Sequence, residues 1–216
     1  YTYDNSGRLT SERSARGGGG SQDGAGELLL YKYDARGNRT EKDKFEGSKA
    51  KLDEYMATYG SGISLMSIDL LYEEDDNRHY YYTYDKNNRL TASSSYLNFY
   101  YRAEDKYTYD GNGNLLEDEY TLTYDDDAPE DEEVYVAEHY TKTYGYNGKN
   151  QMTSYVSTEN NGTSASYTYD PAGQRISKTV NGATTNQIWD NNGNIVYEYG
   201  TKGAATYNRG LGGEII

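Results

Sequence analysis

Apolar positions along this chain alternate with polar ones and do not follow helical spacing. Aromatic residues come in pairs two apart, and on an extended backbone two-apart residues project from one face. Tyr1 and Tyr3, Tyr31 and Tyr33, Tyr82 and Tyr84, Tyr107 and Tyr109, Tyr144 and Tyr146, and Tyr167 and Tyr169 are such pairs, and Trp189 ends a degenerate seventh copy. Tyrosine is also a good strand former. Each copy runs straight into Asp or Asn, with Gly or Asn three residues later. The pairs are Asp4 with Gly7, Asp34 with Gly37, Asp85 with Asn88, Asp110 with Gly113, Asn147 with Asn150, Asp170 with Gly173, and Asp190 with Gly193. That spacing fits a type I turn closed by a left-handed residue, the three-residue hairpin with a bulge. The leading side chain can bond the backbone two residues on. Asn88 and Asn150 stand where Gly is missing, and Asn is the residue after Gly that best tolerates left-handed geometry. Pro171 falls at the second turn position, where its fixed φ is already suitable. The pattern predicts an all-β fold, an array of antiparallel hairpins paired edge to edge into one long sheet.

The returning strands need turns of their own. Asn161-Gly162 and Asn181-Gly182 lie between polar, β-branched stretches and predict tight two-residue hairpins. The repeat positions advance by between 20 and 51 residues, so loop insertions fall near 14–27, 41–79 and 125–134 of a single array spanning 1–216. The first contains Gly17-Gly18-Gly19-Gly20-Ser21 and reads as a flexible loop, natural or engineered. In the second, Leu52 to Met56 could start a short helix, yet Ile63 to Leu70 alternates as a strand does; a long hairpin is favoured over a separate domain. The third holds Asp125-Asp126-Asp127 and Glu130 to Glu133, an exposed acidic loop.

Composition changes the picture in two ways. With 28 Tyr, 2 Phe and 1 Trp, a core can be built from rings whose hydroxyls stay hydrogen-bonded, despite a mean hydropathy of −1.06 that would otherwise suggest disorder. The formal charge of −14 argues against nucleic acid, which demands clustered Lys and Arg, and against anionic membrane surfaces. No stretch reaches the ~20 apolar residues of a membrane span. With no Cys there is neither a disulfide framework nor a thiolate metal site. The chain opens inside a repeat and reads as a fragment of a longer protein.

Candidate chemistry is sparse, and no cofactor or metal is expected. Asp110 to Asn114 and Asp190 to Asn194 imitate the start of a calcium loop, but Leu115 or Ile195 occupies its glycine position and Thr121 or Thr201 its final glutamate. His79 and His139 each sit beside Tyr in no known motif. No nucleophile elbow or phosphate loop is present, so no catalysis is expected. Tyr81 and Tyr100, facing away from the aromatic stripe, are the better candidates for stacking on a carbohydrate. Asn38-Arg39-Thr40 and Asn161-Gly162-Thr163 match the N-glycosylation pattern.

The copies of Tyr-x-Tyr-Asp-x-x-Gly-[Asn/Arg] resemble the YD (Rhs) repeats of bacterial Rhs proteins, toxin-complex subunits and animal teneurins. Tyr167 to Gly173, Lys178 to Gly182 and Tyr207 to Gly213 look closest to the Rhs core. The resemblance implies a curved or spiralling sheet that is part of a larger shell enclosing a C-terminal toxin polypeptide. It implies neighbouring repeats of the same chain as partners, and a secreted or cell-surface location in bacteria. The resemblance also implies self-cleavage behind the core, using acidic residues of an Asp-Pro-x-Gly motif near the shell's end. Asp170-Pro171-Ala172-Gly173 matches those letters but sits within an ordinary repeat, and is read as a turn. The rival reading is a cell-surface adhesin or carbohydrate-binding repeat region.

Overall fold

The computed structural model describes residues 1–15, 26–59, 78–96, 101–125 and 134–208. Its strands are β1 (Thr2–Tyr3), β2 (Leu9–Ala15), β3 (Gly26–Tyr33), β4 (Arg39–Gly47), β5 (Arg78–Tyr84), β6 (Leu90–Tyr96), β7 (Tyr101–Tyr109) and β8 (Leu115–Asp125). They continue as β9 (Val134–Tyr146), β10 (Met152–Ser157), β11 (Thr163–Tyr169), β12 (Arg175–Val180), β13 (Ala183–Trp189), β14 (Ile195–Gly200) and β15 (Gly203–Thr206). One helix, α1 (Lys49–Tyr59), follows β4. The strands form one open antiparallel sheet whose spatial order is the chain order, β1 through β15. Among the described residues the regular structure is all-β apart from α1 and a short 3-10 helix, Glu159–Asn161. By contacts it divides into two units, Tyr1–Tyr107 with Tyr120–His139, and Thr108–Glu119 with the chain from Tyr140 onward.

In the first unit α1 lies against β3 and β4. Its Leu52, Tyr55, Met56 and Tyr59 recur at i, i+3, i+4 and i+7, a single helical stripe. That stripe buries Leu28, Leu30 and Phe45, with Phe45 centred 4.7 Å from the Tyr55 ring and 5.9 Å from that of Tyr59. Burying each such side chain contributes about 1.5–3 kcal/mol. Arg13 pins the helix from the sheet: its guanidinium donates to the Lys49 carbonyl at 3.0 Å and pairs with Asp53.

Within the 41–79 stretch, for which a long hairpin is favoured, β4 and β5 pair antiparallel and the described residues add a helix. The first residues of the stretch extend β4 to Gly47, paired with β3 on one side and β5 on the other, and α1 follows. The helix that Leu52 to Met56 could start forms because Leu52, Tyr55 and Tyr59 find Leu28, Leu30 and Phe45 to cover. Ile63 to Leu70, whose alternation suggested the strand, lies outside the described residues, as do 16–25 and 126–133, where loops are expected.

In the second unit the hairpins follow one another closely. Asn181 (φ 47°) and Gly182 (φ 80°) make a two-residue turn between Val180 and Ala183, which face each other across β12 and β13. Asn161-Gly162 does not do the same, contrary to the sequence expectation. Ser157 pairs with Thr163, so five residues connect β10 to β11, including the 3-10 turn. The cause lies upstream. Thr158 is still tied to β9, its N–H on the Thr141 carbonyl at 3.0 Å and its Oγ1 accepting from the Thr141 N–H at 2.9 Å, so the chain cannot reverse until later.

Candidate functional site

The repeat turns share one local construction. At Asp85, the Asn88 N–H donates to the Asp85 carbonyl (3.1 Å) and the Asp85 N–H to that of Arg89 (2.9 Å). The carboxylate then does two jobs: Oδ1 accepts from the N–H groups of Asn87 (2.8 Å) and Arg89 (3.0 Å), and Oδ2 from the Arg89 guanidinium (2.7 Å). Asp4 with Arg8, and Asp34, Asp110 and Asp190 with Asn38, Asn114 and Asn194, repeat the scheme. This accounts for Arg or Asn after the Gly, since that residue must donate to the second carboxylate oxygen. Asn147 inverts the polarity: its Nδ2 donates to Gln151 Oε1 at 2.8 Å, so the partner becomes an acceptor. These bonds hold the carboxyls of Asp4, Asp34, Asp85 and Asp110 below their ordinary range; the largest influence is a hydrogen bond from Arg8, Asn38, Arg89 and Asn114 respectively. The calcium-like segment Asp110 to Asn114 has its carboxylate oxygens filled in this way.

All seven closing residues are left-handed, from Asn150 at φ 60° to Gly173 at φ 96°. Bulges in the ladder flank the turns, as between Thr83 and Tyr84 and between Thr168 and Tyr169. Asp170-Pro171-Ala172-Gly173 is one of these turns, with the Gln174 N–H on Asp170 Oδ1 at 2.9 Å.

Consecutive turns are stitched together. In the first unit, Arg8 donates to the Asp34 carbonyl (2.9 Å), Arg36 to that of Lys86 (3.0 Å), and the Asn38 amide to Asn88 Oδ1 (3.0 Å). In the second, the Asn114 amide donates to Asn150 Oδ1 (2.9 Å) and Lys149 to the Pro171 carbonyl (2.8 Å). Asn88 and Asn150 thus supply an acceptor that the Gly elsewhere in the motif lacks, a role beyond tolerance of positive φ.

A second stitch comes from the aromatic just before the turn. The Tyr33 hydroxyl donates to the Leu9 carbonyl (2.8 Å), Tyr169 to that of Met152 (2.7 Å), and the Trp189 indole N–H to that of Arg175 (2.8 Å). In each case the acceptor lies five residues after the previous repeat's turn residue. Trp can replace Tyr here because both are rings with a donor at the tip. A third recurs at the far ends of the second unit's hairpins. Oxygens of Thr158, Asn181 and Thr201 accept from the N–H groups of Thr141, Ser164 and Thr184. Those three lie eleven residues after Asn147, Asp170 and Asp190, a periodicity that was readable in the sequence and went unused.

Several rings carry the chain's own cations. Arg39 sits 4.5 Å over the Tyr31 ring, Arg8 5.0 Å over Tyr33, Lys42 5.0 Å over Tyr80 and Arg175 5.7 Å over Tyr167. Tyr144 leans on Tyr155, their centroids 5.4 Å apart. Tyr1 and Tyr3 are mostly exposed, whereas Tyr82, Tyr84, Tyr107, Tyr109 and Tyr146 are partly buried. Burial raises the phenols of Tyr82, Tyr84 and Tyr144.

The remaining candidates scatter. Tyr81 is half-buried edge-on to Tyr96; burial, with Glu41 and Asp43 nearby, pushes its phenol up to about 12. Tyr100 lies outside the described residues. His79 is buried, its Nδ1 2.7 Å from Asp43 Oδ1, a pair 36 residues apart that no spacing rule announces. His139 is exposed, 3.1 Å from the Thr121 hydroxyl. Asn38 is engaged within its turn, whereas Asn161 is exposed. Among the described residues no group of three His, Asp or Glu could hold a metal ion, and no helix is long and apolar enough to cross a membrane.

No protein-family model matches the chain, and no curated protein matches it in sequence. Among solved structures, one titled TcdB2-TccC3-TEV aligns over 82% of this chain at 14% identity, with a TM-score of 0.37. The alignment covers 9% of that structure's chain.

Proposed function

We propose that this chain is a segment of an Rhs-type shell wall that encloses an attached C-terminal toxin polypeptide and helps deliver it. The observation that carries the reading is the stitching: the turn carboxylates hold their own turns, Arg8 reaches the following turn, and Tyr33, Tyr169 and Trp189 bond the strand that leaves the preceding one. Such a sheet is built to be continuous. Its contribution to function is mechanical, keeping proteases out and the toxin away from its targets, in a bacterial product that is secreted or displayed on the surface. The motif resemblance points the same way.

The adhesin reading fares less well because Tyr81, one of the two rings the sequence offers to a sugar, is half-buried and meets Tyr96 edge-on. Native and denaturing mass spectrometry of the longer parent protein tests the proposal. A chain cut behind the repeats, with its C-terminal piece retained until denaturation, supports the shell. An uncut chain holding nothing sinks it, and glycan-array binding would then become the next measurement.

A further inference from the structure

The two faces of the sheet can be told apart by the repeat itself: one carries the paired aromatics, the other the residue between them. In the first unit, Leu28 and Leu30 share a face with Lys32, the middle residue of Tyr31-Lys32-Tyr33, and α1 covers them. In the second unit the middle residues include Thr168 and Ile188, and nothing among the described residues covers that face of β10 to β15. Val156 (47% exposed), Ile176 (41%), Ile188 (49%) and Tyr199 (44%) all sit there in the open. The register brings them near one another: Ile188 faces Tyr197, Asn186 faces both Tyr199 and Ser177, and Ile176 precedes Ser177. Tyr197 and Tyr199 stack at 5.6 Å.

The polar residues on this face sharpen the point. Between the turns they are Ser, Thr and Asn, and no charged side chain faces this way from β10 to β15, in a chain where 26% of residues are charged. Lys178, Glu198 and Arg175 point to the aromatic face, as their registers with Tyr167, Gln187 and Tyr169 require. Loss of charge around exposed apolar anchors is the compositional mark of an interface core. The backbone groups of these strands are already spent in the ladder, so a partner lying on the face must satisfy its own. A helix does so; an added strand does not.

We propose that this face of β10 to β15 docks an amphipathic helix of a partner polypeptide, with apolar residues at the i, i+3, i+7 spacing of Leu52, Tyr55 and Tyr59. The internal precedent is α1, which meets the corresponding face of β3 and β4 through that spacing.

The test uses the full chain with isotope-labelled isoleucine methyls and a synthetic peptide of residues 49–59, stapled through the exposed positions 50 and 54. Saturable shifts at Ile176 and Ile188 are expected, with binding at least tenfold weaker in Ile188→Thr. Thr keeps the β-branch suited to a strand, and an otherwise unchanged spectrum shows that the variant is folded. Several results overturn the proposal. They are no shift at millimolar peptide, shifts unchanged in Ile188→Thr, shifts confined to the surroundings of α1, and shifts that depend on protein concentration without peptide, which mark self-association instead.

Discussion

The Tyr169 hydroxyl donates to the Met152 carbonyl at 2.7 Å, joining the aromatic of one repeat to the strand that leaves the turn of the one before. Removing the oxygen leaves a partly buried carbonyl short of a partner while keeping the ring. Tyr169→Phe is expected to cost about 0.5–1.5 kcal/mol, the net worth of one hydrogen bond. Tyr1→Phe is the control, since its hydroxyl meets Glu12 only at 3.4 Å in an exposed setting; a change within about 0.5 kcal/mol is expected there. Urea melts of both variants check the pair.

At Gly113 the backbone sits at φ +94°, and a Cβ built there meets nothing within 4 Å. Any cost of a side chain is then conformational and not steric. Gly113→Ala is expected to destabilise by about 1–2 kcal/mol, and Gly113→Asn by clearly less. Thermal melts that rank the two variants the other way would remove the left-handed requirement from the motif's explanation.

The pair of Asp43 and His79 is buried beside Phe45, whose ring stands edge-on to the imidazole at 6.3 Å. Deleting one member leaves the other without its partner in an apolar setting. Asp43→Ala is expected to cost about 3–5 kcal/mol, and the joint replacement Asp43→Leu with His79→Leu to recover much of it. Equal losses in the single and double variants would show that volume, not pairing, matters. Amide exchange across α1 reports whether the helix loosens with the pair.

Acid should weaken the turns. Asp4, Asp34, Asp85 and Asp110 titrate below their ordinary range in the fold, and an unfolded Asp titrates near ~3.9. The stability they lend is fully present above that unfolded value and disappears as pH falls through the folded ones. Melting temperature should stay level from neutral pH down to about 5 and drop below about 4, with a shallower drop in Asp34→Asn. A profile unchanged by that substitution would place the acid sensitivity elsewhere.

How legible this was depended on distance along the chain. The turns could be read because Asp85, Asn88 and Arg89 act on one another within five residues, and the middle of the chain yields only to longer-range knowledge. The hydroxyl of Tyr33 finds Leu9 across 24 positions, and His79 finds Asp43 across 36; both need the register of β2 to β5 first. Helix α1 was half-visible in Leu52 to Met56, but its stripe is polar enough elsewhere, with Lys51, Asp53 and Glu54, that only the cluster of Leu28, Leu30 and Phe45 beneath it decides the outcome. Asn161-Gly162 misled because the dipeptide signals a tight turn, whereas the hold of Thr158 on Thr141 sets where the strand lets go.

The order of the strands in the sheet, β1 to β15 as in the chain, has a mechanical corollary. Tension drawn through the backbone from either end meets one strand at a time, loading the ladder bonds in succession like a zipper and not all at once in shear. Each yielding step within a unit would surrender one hairpin with its turn stitch and its ring-to-carbonyl bond, leaving the next intact as a fresh edge. An array connected in this way gives way one hairpin at a time, in steps as unequal as the spacing of its repeats.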